Sequence, residues 1–236
     1  MLVEVMMAIQ KILFKFRFKF NRLQWFVHIG SLVPLFVLFF DGFTNQLTAN
    51  PIQEITQRTG RIAIIWLLFS LTCTPLNNIF GLTPFAQVRR PLGLYSAFYS
   101  VLHASTYFIL DYGLNFQLIL KDILEKPFLV LGLLGFIFIL VLTFTSTKKS
   151  MKKLGKKWIT IHKLVYPAAI ILVFHYILAL KFINSLAITI SLFLFALLLV
   201  RLPLVRKLFK QRRPSWISNV NTFITGRKRK TIVITK

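Results

Sequence analysis

The sequence predicts an all-α integral membrane protein, a single bundle of about six transmembrane helices. The chain has 236 residues, of which 56% are hydrophobic and 25 are phenylalanine, and its mean hydropathy is +0.69. One soluble core of this length cannot bury so much apolar surface. Several apolar runs also reach the roughly 18–20 residues that cross a bilayer, and the 30 Lys and Arg residues cluster between those runs.

Apolar runs and helix-breaking residues predict helices at 23–40, 61–76, 92–111, 128–145, 158–180 and 185–204. The breaks are Asp41-Gly42, Asn50-Pro51, the stretch 77–91, Lys126-Pro127 and the cationic loop after Thr145. No internal repeat is evident, so one compact bundle is the simplest architecture. No small-residue cleavage pattern follows the basic start, so we expect the first helix to be retained. The predicted parts are a basic N-terminal segment (1–22), the transmembrane domain (23–205) and a basic tail (206–236).

The distribution of basic residues predicts the orientation, because cytoplasmic loops carry an excess of Lys and Arg. A cytoplasmic N-terminus places most of the cations inside: Lys11, Lys15, Arg17, Lys19, Arg22, Arg89, Arg90, Lys148, Lys149, Lys152, Lys153, Lys156, Lys157 and the tail. Those left outside are Arg58, Arg61, Lys121, Lys126 and Lys181. Both termini are therefore predicted to be cytoplasmic. The tail either lies on anionic lipid headgroups or is solvated.

The same distribution argues against nucleic acid as the reason for the net charge of +24, because the cations lie in short loops between membrane segments. Cys73 is the single cysteine, so the chain forms no intrachain disulfide and no cysteine-based metal site.

All four histidines of the chain, His28, His103, His162 and His175, fall inside predicted membrane helices. An ionisable side chain in a membrane helix is costly and indicates function by default. Neutral imidazole is also an axial ligand of haem iron, and a haem between helices gives each ring the partner that lipid lacks. The histidines are therefore candidate ligands of b-type haem.

Depth in the membrane separates these histidines, because a helix rises roughly 1.5 Å per residue. His103 lies roughly 17 Å and His175 roughly 26 Å from the inner edge, a difference that helix tilt absorbs. These two are the candidate ligands of one iron in the outer half. His162 lies only roughly 6 Å deep and belongs to a second site near the cytoplasmic face. His162 and His175 point about 140° apart on an ideal helix, so either Pro167 kinks the helix or the two sites occupy different sectors.

Arg90 opens the third helix at the inner face and lies 13 residues before His103, as His162 lies 13 residues before His175. It either orients the helix and contacts headgroups, or reaches a haem propionate or a flavin phosphate. The lysines between Lys148 and Trp158 are either topogenic or a docking surface for an acidic partner or an anionic cofactor. His28 is either a ligand or hydrogen-bonded to a neighbouring helix.

No dinucleotide fingerprint, Walker loop or HExxH pattern is present, so electrons must arrive from a partner or a quinone. In a rival interpretation the chain is a ferric or cupric reductase that acts on an external metal. In another it is a transporter or structural membrane protein whose histidines form a proton relay.

A set of short motifs in fixed order resembles the MsrQ (YedZ) family, the haem-binding membrane subunits of bacterial periplasmic methionine-sulfoxide reductase systems. The motifs are Asn50-Pro51, Thr59-Gly60-Arg61, Thr74-Pro75-Leu76, Arg89-Arg90-Pro91-Leu92-Gly93-Leu94, Leu102-His103, Lys126-Pro127-Phe128, Thr145-Ser146-Thr147, Leu154-Gly155-Lys156-Lys157-Trp158, Ile161-His162-Lys163-Leu164-Val165-Tyr166 and His175-Tyr176. The resemblance spans about residues 23 to 182.

The resemblance implies a ferric-reductase-like transmembrane domain in the bacterial inner membrane, with one or two b-type haems and bound FMN. It implies a quinone or a cytoplasmic flavin reductase as electron donor, and a periplasmic molybdopterin reductase of the MsrP type as acceptor. His103, His162 and His175 match the haem-site histidines of the family, and Arg90 matches an arginine near the inner site. The chain is then an electron-transfer subunit rather than the catalytic subunit.

Overall fold

The computed structural model describes residues 20–180, 182–203 and 216–226, and every regular element within these ranges is helical. The elements are α1 (Arg22–Phe43), α2 (Pro51–Asn78), α3 (Pro84–Ser105), α4 (Phe116–Glu125), α5 (Pro127–Thr145), α6 (Lys148–Leu154), α7 (Lys156–His162), α8 (Val165–Leu178), α9 (Ser185–Leu199) and α10 (Trp216–Thr225). A π-helical turn, Thr106–Asp111, continues α3. The basic residues up to Lys19, Lys181 and most of the basic tail lie outside the described residues.

Four helices in the described ranges are long and apolar enough to cross a bilayer: Arg22–Phe43, Pro51–Asn78, Pro127–Thr145 and Lys156–Leu178, the last combining α7 and α8. α9 is equally apolar but has only 15 residues. Large side chains such as Phe26 (75% exposed), Phe36 (70%) and Phe144 (71%) cover the outside of the bundle. Exposed apolar surface on this scale suits lipid as the surrounding solvent. The prediction of a multi-pass, all-helical membrane protein is therefore confirmed.

Two helices begin earlier than the sequence predicted. α2 begins at Pro51 rather than at residue 61, because the Asn50 side chain accepts a hydrogen bond from the Gln53 amide (3.1 Å) and proline suits the first helical position. The Asn50-Pro51 pair is therefore a start signal as well as a break. α3 begins at Pro84 rather than at residue 92, again with proline in its first turn.

The predicted fifth helix, 158–180, consists of the separate helices α7 and α8. Pro167 has no amide hydrogen to donate to the carbonyl of Lys163, and the chain makes short turns at Lys163 and Leu164 instead.

The sequence analysis also missed three short helices, α4, α6 and α10, which are too short or too polar to be recognised as apolar runs. α6 begins at the cap residue Thr147 and ends at Gly155, whose φ of +51° suits glycine.

The described chain contains a structural repeat, contrary to the expectation from the sequence. Two helix pairs pack side by side: α2 lies along α3, and α5 lies along α8. When 72 is added to the residue numbers of α3 (84–105), the result is 156–177, the range occupied by α7 and α8. The same addition to the residue numbers of α2 gives a range that contains α5. The repeat is hidden because few side chains coincide, but Gly60 coincides with Gly132 and His103 with His175.

The main core joins the two helix pairs to α9, with Leu71, Ala169 and Ala187 among its most buried members. α1 packs on α3 through Tyr99, which is fully buried and donates a hydrogen bond to the Ser31 carbonyl (2.7 Å). The described part of the tail, α10, contacts the loop between α2 and α3. The side-chain amide of Asn221 donates a hydrogen bond to the Gly81 carbonyl in that loop (3.0 Å).

Candidate functional site

Two histidines from different helix pairs face each other. His103 lies near the end of α3 and His175 near the end of α8, with their ring centres 6.1 Å apart. The Nδ1 atom of His103 lies 2.8 Å from the Thr56 carbonyl oxygen, and that of His175 lies 2.7 Å from the Phe128 carbonyl oxygen. A carbonyl only accepts, so Nδ1 of each ring carries the proton and donates it. In each neutral ring Nε2 then keeps a free lone pair for a metal.

The distance between the rings fits one metal ion bound between the two Nε2 atoms. If the metal and both Nε2 atoms lay on one straight line, two bonds of roughly 2 Å from metal to imidazole nitrogen, plus about 1.1 Å from each nitrogen to its ring centre, would place the centres roughly 6.2 Å apart. The observed separation of 6.1 Å agrees with this value.

Glycines make room for both rings. A Cβ atom on Gly60 would lie 2.9 Å from Nδ1 of His103, and one on Gly132 would lie 2.7 Å from Cε1 of His175. Gly60 lies one helical turn after Thr56, and Gly132 lies one turn after Phe128. Since the side chain of residue i+4 would cover the carbonyl of residue i, glycine leaves that carbonyl open to the imidazole.

The chemistry of the donor set points to haem rather than to a bare ion. Within the described residues no group of three or more His, Cys, Asp or Glu side chains is placed to hold a metal. Two imidazoles supply two opposite ligands, and a porphyrin supplies the remaining four nitrogens. The residues of the His103–His175 pair therefore fit a haem with two axial histidines.

His162 lies apart from this pair, near the predicted cytoplasmic end. Its Nε2 atom lies 3.2 Å from the hydroxyl of Thr145, and its ring lies 4.0 Å from the Trp158 ring at an angle of 31°. Trp158 in turn donates to the Thr145 carbonyl (3.0 Å). Arg89 is close enough to interact electrostatically with His162, whereas Arg90 is exposed. Arg89 is therefore a further candidate at this site, beside the predicted Arg90.

His28 hydrogen-bonds a neighbouring helix, one of the two alternatives that the sequence left open. Its Nδ1 atom lies 2.9 Å from the hydroxyl of Tyr95 in α3. The two residues lie in a groove of about 360 Å³ between α1 and α3, lined by His28, Leu32, Pro91, Leu94, Tyr95 and Phe98.

Sequence reasoning missed Gly60, Gly132 and Arg201 as functional candidates. Arg201 was the only charged residue inside the predicted helix 185–204, and that isolation was the available signal. Its Nη2 atom donates to the Leu71 carbonyl (2.5 Å), and its guanidinium carbon lies 4.8 Å from the centre of the Tyr166 ring.

A polar cluster ties the loop after the π-helical turn to α4 and α5. The hydroxyl of Tyr112 donates to Asp122 (2.5 Å), and the Lys126 ammonium lies 2.6 Å from the same carboxylate. Burial raises the pKa of the Asp122 carboxyl, but the hydrogen bonds from Lys126 and Tyr112 outweigh that effect and lower it overall. The ion pair also raises the pKa of Lys126.

Known transmembrane and haem-binding proteins are similar to this chain. A family model described as "Ferric reductase like transmembrane component" matches residues 59–173. The chain is 33% identical over 191 residues to the protein-methionine-sulfoxide reductase heme-binding subunits MsrQ of Brucella ovis, Brucella canis and Brucella suis. Each match covers 81% of this chain and 86% of the relative.

The glycine contacts predict that Gly132→Ala displaces the ring of His175 and weakens haem binding. Overpacking of this kind costs about 1–3 kcal/mol, which corresponds to roughly 5- to 150-fold weaker binding. Haem per chain, measured by pyridine haemochrome during dilution of the purified protein, reports the loss, and Gly60→Ala is expected to behave in the same way.

Gly30→Ala is the matched control, because nothing lies within 4 Å of a Cβ atom at that helical glycine. We expect it to keep its full haem. Full haem and an unchanged spectrum in both the Gly60 and the Gly132 variants would show that the glycines do not position the ligands.

The Asp122 cluster predicts a stability difference that depends on pH. Since the folded-state pKa of Asp122 is lowered, its stabilisation is present above the ordinary value of 3.8 and is lost as the pH falls below it. Asp122→Asn is expected to cost about 1 kcal/mol at pH 7 and progressively less as the pH falls below 3.8, measured as the difference in Tm from the parent chain. Glu125→Gln removes a more exposed charge, 3.8 Å from Lys121, and serves as control. A deficit of Asp122→Asn that stays constant with pH would contradict this account.

Proposed function

This chain belongs to the MsrQ family of haem-binding membrane subunits, and we propose that it carries electrons through the membrane to a methionine-sulfoxide reductase. The proposed acceptor is a periplasmic molybdopterin reductase of the MsrP type, and the proposed donor is a quinone or a cytoplasmic flavin reductase. The observation that carries the proposal is the His103–His175 pair, in which both Nδ1 atoms are bound to carbonyls and both Nε2 atoms are free for iron. The acceptor then repairs oxidised methionine in proteins.

The proposed topology has six membrane-spanning segments, with both termini in the cytoplasm of a bacterium and the bundle in its inner membrane. The six segments are the four apolar spans together with α3 and α9. We count these two helices as spans because α3 lies along α2, and α9 packs on α8 and α2. Six lysines between Lys148 and Lys157 mark the cytoplasmic end. Asp41, Glu54 and Asp122 lie at the opposite end.

The chain's own residues fix the cofactor and its surroundings. His103 and His175 would hold the haem iron, and the carbonyls of Thr56 and Phe128 orient their rings and strengthen Nε2 as a donor. The apolar helices exclude water, which together with the ligands sets the reduction potential. When bound, the haem supplies a one-electron couple between ferric and ferrous iron. FMN is proposed as a further cofactor on the strength of the family resemblance.

A second cofactor site is proposed near the cytoplasmic face, around His162. The imidazole, the flat ring of Trp158 and the charge of Arg89 together suit a second haem or the FMN. Arg90 lies at the same end, where it is exposed and available to a headgroup or to an approaching anionic donor. Electrons would enter at this end and leave beyond the His103–His175 pair.

The groove between α1 and α3 supports a quinone as donor. Its lining is apolar, and Leu32, Leu94 and Phe98 are exposed on the outside of the bundle, so a lipid-soluble molecule can enter from the side. Within it His28 and Tyr95 share one hydrogen bond and can donate to a quinone carbonyl.

A direct metal reductase is the second candidate, because the family model that matches residues 59–173 describes ferric-reductase-like components. Reduction of chelated iron by whole cells that lack the periplasmic reductase would favour it. Reduction of methionine sulfoxide that requires both the chain and that reductase would favour the first proposal.

Substitution of the paired histidines tests the haem proposal. His103→Ala and His175→Ala are each expected to remove the haem held between the two rings, because one axial ligand and its hydrogen bond are lost together. Reduced-minus-oxidised spectra with haem counted per chain measure the effect, and His28→Ala is the control that keeps this haem. Unchanged haem content in both variants would contradict the proposal.

Removal of the Tyr95 hydroxyl tests the quinone groove. Tyr95→Phe is expected to slow haem reduction by a short-chain quinol at least fivefold, because it removes a hydrogen-bond donor worth about 1 kcal/mol. Reduction by dithionite and the haem content should stay at parent levels. Equal quinol rates in variant and parent would leave the flavin reductase as the better donor.

A further inference from the structure

Positive charges meet at the cytoplasmic end of the bundle in what we term the inner arginine corner, formed by Arg201, Arg89, Tyr166 and His162. Arg201 follows α9, is anchored by its Nη2 atom to the Leu71 carbonyl, and lies over the Tyr166 ring. Arg89 comes from α3 and interacts electrostatically with both Arg201 and His162. The Arg201 guanidinium is thus reached by Leu71 of α2, by the charge of Arg89 of α3 and by Tyr166 of α8.

Two of the three nitrogens of Arg201 lack a partner. Nε and Nη1 are buried, and neither makes a hydrogen bond to any residue that the structure describes. A buried charge is costly unless it is paired and its donors are satisfied. Arg89 adds to this cost, because a second positive charge nearby repels the first.

No carboxylate among the described residues can neutralise the corner. The acidic residues in the described ranges are Asp41, Glu54, Asp111, Asp122 and Glu125. All of them lie at the opposite end of the helices, where Asp41 and Glu54 bind Arg58 and Asp122 binds Lys126. The described residues therefore supply two free donors and an excess of positive charge, but no anion.

We propose that the inner arginine corner binds an anionic oxygen group, a carboxylate or a phosphate, carried by the cofactor next to His162. This inference rests on the proposed function, since it assumes a cofactor at the inner site. Tyr166 follows His162 by four residues across the turn at Lys163 and Leu164, and Arg89 interacts electrostatically with both His162 and Arg201. An anionic group on a cofactor beside the His162 imidazole can therefore reach the Arg201 guanidinium. The matching groups are a haem propionate and the phosphate of a flavin mononucleotide.

Arg201→Gln in the full-length chain tests the proposal, with Lys157→Gln as the control that removes an exposed charge at the same end. Haem, acid-extracted flavin and lipid phosphorus are counted per purified chain. If the anion is a propionate, Arg201→Gln loses the inner haem and keeps the His103–His175 haem with its spectrum. If it is the flavin phosphate, the flavin is lost and the haem is retained. Loss of bound lipid alone, or no loss at all, overturns the proposal.

The unpaired charge also predicts a reversal of sign in thermal stability. In protein made without haem and flavin, Arg201→Gln should raise Tm, because it removes a buried charge that has no partner. In the loaded protein the same substitution should lower Tm, because it removes the partner of the anion. The same direction of change in both forms would contradict the proposal.

Inorganic phosphate separates this test from the haem proposal. Added to cofactor-free protein, phosphate should raise Tm in the parent chain and leave Arg201→Gln unaffected. A parent chain that contains no haem would defeat the proposed function, while its response to phosphate would still decide whether the corner binds an anion.

Discussion

The hydrogen bond between an imidazole Nδ1 and a backbone carbonyl is the interaction on which the functional site depends. Lipid offers no partner to a ring N–H, so the protein must supply one or lose free energy for each buried ring. The Thr56 and Phe128 carbonyls meet this need for His103 and His175. The same bond fixes the tautomer, so a single interaction stabilises the ring in the membrane and leaves the lone pair of Nε2 available to a metal.

That interaction is possible because of where glycine lies in the helices. A carbonyl in a helix already accepts the amide of residue i+4, but its second lone pair is free. A side chain at i+4 would cover that lone pair, whereas Gly60 and Gly132 leave it open. The structural repeat places carbonyl, glycine and histidine at matching positions in both helix pairs, with 47 residues between carbonyl and histidine in each. The site formed by the His103–His175 pair is therefore made of two similar halves. At the inner end the repeat breaks down, since Arg90 stands where the second half has His162.

The sequence was sufficient to predict what depends on hydropathy and depth. The four apolar helices long enough to cross a bilayer and the proximity of His103 to His175 follow from apolar runs and from counting residues along a helix. The start of α2 at Pro51 was missed because Asn50-Pro51 signals both an end and a beginning. Gly60 and Gly132 carry no signal in a single sequence, since their importance lies in contacts between helices. Arg201 was missed for a similar reason: only packing reveals that two of its nitrogens have no partner.

The two ends of the bundle differ in how their charges are neutralised, and this difference separates topogenic cations from functional ones. Exposed lysines between Lys148 and Lys157 act through water, where salt screens a charge within roughly 8 Å. Arg201 and Arg89 lie partly inside the bundle, where screening is weaker and each charge reaches further. For the cofactor proposed beside His162, a positive charge so placed would stabilise the reduced form more than the oxidised one, because reduction adds negative charge. The many exposed lysines can therefore orient the protein without tuning the inner cofactor, whereas the buried guanidinium of Arg201 must influence any group that receives electrons beside it.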